Sequence, residues 1–123
     1  MTYDDMLDTL LSGKLPECGF GHAEHLGTAH AALRRWEFFE AAHRYSTALR
    51  KVTTDAGVPE KYNATVTLCF LSTVAERMGE EDSADFVDSA SGLDGTTLAR
   101  AGYDSARLAH PKARSVGLLP RRM

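Results

Sequence analysis

The sequence predicts an all-α fold, a single-domain bundle of four main helices with an irregular C-terminal third. Apolar residues recur every three or four positions through most of the chain before Gly79, and nowhere do apolar and polar residues alternate over the length of a strand. With 123 residues, 43% hydrophobic and 25% charged, the chain has the size and composition of one core, so residues 1–123 are expected to form one domain.

Thr2 is placed to cap a first helix whose opening turn sets Asp4 and Asp5 against the positive end of the helix dipole. Met6, Leu7, Leu10 and Leu11 form its apolar stripe, and Gly13 ends it. The loop "KLPECGFG" delivers Phe20 and Gly21 to a second helix, from His22 to about Arg35, in which Leu26, Ala29 and Leu33 share a face. After a break at "RRW" a longer helix is expected from about Trp36 to Asp55, with Phe39, Ala42, Ser46 and Leu49 as its seam and Tyr45 and Val52 beside it. Gly57 and Pro59 give a stop and a start. The fourth helix, about Glu60 to Met78, contains the nearly unbroken apolar run "ATVTLCFLSTVA" and is expected to be the central, most buried one. Beyond it come a short helical piece around Phe86 and Val87, a Gly- and Asp-rich turn, a weak helix between Thr96 and Ala109, and a tail of about 110–123 expected to be extended.

A formal charge of −3 argues against nucleic acid as a partner. The acidic N-terminus and the absence of a long apolar run point to a cytosolic chain with no membrane contact, in which the isolated Cys18 and Cys69 are reduced thiols. "RRWEFFEAAHRY" mixes bases with aromatics, but Glu37 and Glu40 interrupt the positive field, so core aromatics with a solvated face are expected. "GLDG" lacks the lysine and preceding strand of a phosphate loop, and the arginines of "PRRM" are too few for a membrane anchor. Alanines at 29, 31, 32, 41, 42 and 48 permit close helix packing, within one chain or between copies in a homo-oligomer.

Helix phase gives the polar residues directions. With His22 at zero, Leu26 and Leu33 fall at roughly 40° and 20°, which puts His22 in the apolar face and His25, at roughly 300°, at its edge. Glu24 points away, and His30 is expected outside the group. Along the fourth helix, Asn63 and Thr67 fall in the apolar arc with Val66, Phe70 and Val74, whereas Thr65, Ser72 and Glu76 fall opposite. The simplest arrangement satisfying these inward polar groups is one pocket in which His22 and His25 meet Asn63 and Thr67, with Tyr62 near the same helix start.

Three readings of such a pocket stay open. The i, i+3 imidazoles of His22 and His25 could be two ligands of a divalent transition metal, with a third ligand unidentified. An imidazole in an apolar pocket is a neutral base at pH 7, with Asn63 and Thr67 as a polar clamp. Or the histidines form a hydrogen-bonded pair in a partly buried helix end.

The order and spacing of Phe20, His22, His25 and Leu26, then Tyr62, Thr65 and Thr67, resemble a widespread group of short, mostly uncharacterised bacterial all-helical proteins. Their pattern runs aromatic-x-His-x-x-His-Leu, then Tyr-His-x-Thr-x-Thr, and the stretch "GYDSARLAHPKARSVGLLP" resembles their C-terminal end. The resemblance implies a third histidine where this chain has Asn63, so a three-histidine metal site would here have lost a ligand. The expectation is therefore a small helical protein that binds or acts on a small organic molecule, an enzyme of specialised metabolism being one form of it. In that form His22 and His25 are catalytic, and Phe20, Tyr62, Asn63 and Thr67 bind ligand. The alternatives are a non-catalytic ligand-binding or protein-interaction accessory protein and a metal-binding protein through His22 and His25.

Overall fold

The computed structural model describes residues 1–16, 19–90, 99 and 101–120. Cys18, nearly all of the Gly- and Asp-rich turn, the first part of the expected Thr96–Ala109 helix and the arginine pair of the tail lie outside the described residues. The fold is an all-helical single domain. Its main helices are α1 (Tyr3–Leu11), α2 (His22–Arg35), α3 (Phe38–Asp55), α4 (Ala64–Arg77) and the shorter α5 (Ser83–Ser89). A single turn, α6 (Ser105–Leu108), and a 3-10 turn at Pro111–Arg114 follow. Among the described residues no helix is long and apolar enough to cross a membrane.

Local chemistry sets the helix ends. Thr2 and Asp5 form a reciprocal capping box, each side chain accepting the other's backbone N–H at 3.1 Å. At the far end of α1, Gly13 takes φ +90°, and the N–H groups of Gly13 and Lys14 return to the carbonyls of Leu10 and Thr9. This is the left-handed stop that glycine permits at least cost. Glu24 reaches back to the Gly21 N–H at 3.0 Å to open α2. Glu37 caps α3 through the N–H groups of Phe39 and Glu40, so α3 begins two residues after the expected start.

Four expectations are corrected. The central helix is α2, not α4: every residue from Leu26 to Ala32 is buried, because α1, α3, α4 and α5 all pack against it. In α4 the buried residues are Thr65, Cys69, Leu71 and Val74, and Leu68 is exposed. The buried seam of α3 runs through Ala41, Tyr45, Ala48, Leu49 and Val52, so Leu49 is in it as expected, while Ala42 and Ser46 are only partly buried and Phe39 is 77% exposed. Small side chains at Ala41 and Ala48 lie on the buried face of α3, where they permit close packing against α1 and α2. Ala29, Ala31, Ala32, Ala41 and Ala48 are thereby buried within one chain. Finally, the start of the tail is not extended, since Pro111 opens a 3-10 turn capped by the His110 ring, whose Nδ1 accepts the Lys112 N–H at 3.1 Å.

The segment after that turn lies along the back of α4. The Thr65 hydroxyl donates to the Val116 carbonyl at 2.7 Å and accepts the Leu118 N–H at 2.9 Å. Tyr103 donates to the Leu118 carbonyl, and the Arg107 guanidinium to that of Leu119. Thr65→Val keeps the shape but removes both bonds to the segment, and a loss of about 1–3 kcal/mol in unfolding free energy is expected. Denaturant unfolding checks this, and an unchanged midpoint would show that the segment contributes no stability. Cys69, on the same helix, is a free, buried cysteine.

Candidate functional site

A cleft of about 600 Å³ opens between α2, α3 and α4. Its walls are apolar, with Leu49 and Val52 from α3 facing Val66, Phe70 and Val74 from α4. This explains the apolar run of α4: one side of the helix faces the cleft and another faces the C-terminal segment, so both sides shun water. Every residue expected at a site lines this cleft, namely Phe20, His22, His25, Tyr62, Asn63 and Thr67.

Their roles differ from the expectation. His22 is exposed, and the more enclosed imidazole is His25. Its ring lies 4.3 Å from that of Phe20, edge to face, and 6.2 Å from that of Phe70. Burial, reinforced by the neighbouring His22, holds the His25 imidazole below its ordinary pKa of 6.5 against the opposing pull of Glu24, so His25 is neutral at pH 7. His22 is the first residue of α2; its ring reaches Phe70 edge to face at 6.4 Å, but its remaining surface is open to water.

Asn63 precedes α4 rather than lying within it. A 3-10 turn at Pro59–Lys61 and an extended Tyr62 delay the helix until Ala64. Asn63 is its cap: Oδ1 accepts the Val66 N–H at 2.9 Å, and Nδ2 donates to the Leu108 carbonyl at 3.0 Å. Thr67 donates to the Asn63 carbonyl at 2.9 Å. Among the described residues neither histidine hydrogen-bonds to Asn63 or Thr67, so the expected polar cluster is a shared lining rather than a bonded network. Tyr62 is half-buried at the cleft between the turn and α4.

As a metal site the donor set is incomplete. Among the described residues no group of three His, Cys, Asp or Glu side chains comes together, and the amide at Asn63 is already engaged at both ends. The cleft therefore offers two imidazoles and the Tyr62 phenol over an apolar floor, chemistry suited to hydrogen bonding or proton exchange with an organic molecule. The Tyr45 hydroxyl on the same lining is engaged with Thr28 and the His25 carbonyl.

His30, expected outside the pocket, does lie apart from it, but it is fully buried between α2 and α5. Its ring stacks on Phe86 at 4.5 Å with 19° between the planes, and Nδ1 lies 2.8 Å from the Ser83 hydroxyl. Nε2 has no hydrogen-bond partner among the described residues and sits 3.8 Å from the Glu81 carboxylate. One signal foreshadowed this: from Leu26 to Leu33 no Asp, Glu, Lys or Arg appears, the composition of a helix covered on all sides.

Burial lowers the His30 pKa, with Arg34 acting the same way, against the pull of Glu81, Asp82 and Asp4. The unfolded chain therefore takes up a proton near pH 6.5 that the folded chain refuses, and stability is complete above that pH and falls below it. His25 adds to the loss with the same sign. Unfolding midpoints measured from about pH 7 down to about pH 5 are expected to drop; a flat or rising profile would contradict neutral, buried imidazoles.

Comparison with family models, curated proteins and solved structures finds no match to this chain.

Proposed function

We propose that this chain binds a small organic molecule in the cleft between α2, α3 and α4, with His25 as the group that exchanges a hydrogen bond or a proton with it. One observation supports the reading: the residues singled out by chemistry and phase line a single apolar-walled cavity of about 600 Å³, within the ordinary range for small-molecule sites. In a catalytic version His25, rather than His22, is the base, since it is the more enclosed imidazole, lies against both Phe20 and Phe70, and has its pKa lowered by burial.

Titration with N-phenyl-1-naphthylamine, a neutral aromatic probe whose fluorescence rises on leaving water, tests the proposal. Saturable one-to-one binding that weakens in His25→Ala is expected. No binding, or binding indifferent to His25, would overturn it.

A further inference from the structure

Resting on that cleft as a binding site, we propose that its ligand is an organic acid, an apolar aliphatic or aromatic body carrying one carboxylate, whose charged end lies toward Lys61. No Asp or Glu lines the cleft, although the chain carries more acidic than basic residues, and Lys61 is the one formal charge on its lining among the described residues. The nearby Glu24 is turned to the Gly21 N–H, outside the lining. Of the polar groups on the lining, the hydroxyls of Thr53, Thr67 and Thr73 donate to backbone carbonyls of their own helices or caps, and the Asn63 amide is engaged at both ends. Lys61 has no carboxylate partner among the described residues, so its ammonium is not already neutralised by a neighbour. A cationic ligand would find no counter-charge here. An anion finds the ammonium beside an apolar floor that accepts the rest of the molecule.

Competition against N-phenyl-1-naphthylamine with octanoate, octan-1-ol and octylamine separates the two claims. Octanoate is expected to displace the probe about tenfold better than octanol, the equivalent of one charge-assisted hydrogen bond, with octylamine weakest. Lys61→Gln, a change at an exposed position, should abolish the preference for octanoate while leaving octanol unchanged. If octanol competes as well as octanoate, the assignment to an acid is overturned; if the preference survives in Lys61→Gln, the placement of the charged end at Lys61 is overturned; in either case the cleft stands. If the probe itself does not bind, both fall.

Discussion

Phe86→Ala is expected to remove about 3–5 kcal/mol of stability, the range for deleting a fully buried aromatic ring. Phe86 is 1% exposed on α5, a helix of only seven residues with little stability of its own. Its ring stacks on His30, so truncation leaves a void beside an imidazole whose Nε2 already lacks a partner among the described residues. Since α5 packs on the central helix, loosening it uncovers one side of α2. Denaturant unfolding followed by circular dichroism reads the effect. A loss below about 1 kcal/mol would mean that this contact is not part of the cooperative core.

The second large effect is on binding. Val66→Trp places an indole into the cleft from the first turn of α4, opposite α3. Because Val66 faces open space rather than packed core, the fold should survive while affinity for N-phenyl-1-naphthylamine falls about a hundredfold, or nearly 3 kcal/mol. Titration of the variant beside its circular dichroism spectrum decides the matter. A folded variant with unchanged affinity would show that the probe binds elsewhere on the molecule.

Helix identity and caps were largely legible because they are local: Thr2 with Asp5, Gly13 and the apolar spacing of α2 each act within a few residues. The membership of the cleft was legible too, since periodicity gives each side chain an angle about its helix axis. Depth was not. His22 and His25 lie on neighbouring faces and both reach Phe70, yet only His25 also lies against Phe20 and is half-buried. Coverage was not legible either. Phase puts Thr65 opposite the apolar arc of its helix and His30 outside the pocket group, yet both are buried, because the C-terminal segment and α5 cover those sides. Those coverings are contacts between residues some fifty positions apart, beyond any periodicity. The four-residue displacement of the α4 start came from Pro59 closing its own short turn, which made Asn63 a cap instead of an inward helical residue.

The C-terminal segment makes α4 a partition, with the segment on one face and the cleft on the other. Thr65 clasps the segment on one side, and its sequence neighbours Val66 and Thr67 line the cleft on the other. On the proposed function, a guest in the cleft would bear on the same turn of helix as the clasp, so each is expected to steady the other. Amide hydrogen exchange at Val116 to Leu118 becomes a remote reporter of occupancy, slowing as the cleft fills although no guest touches that segment.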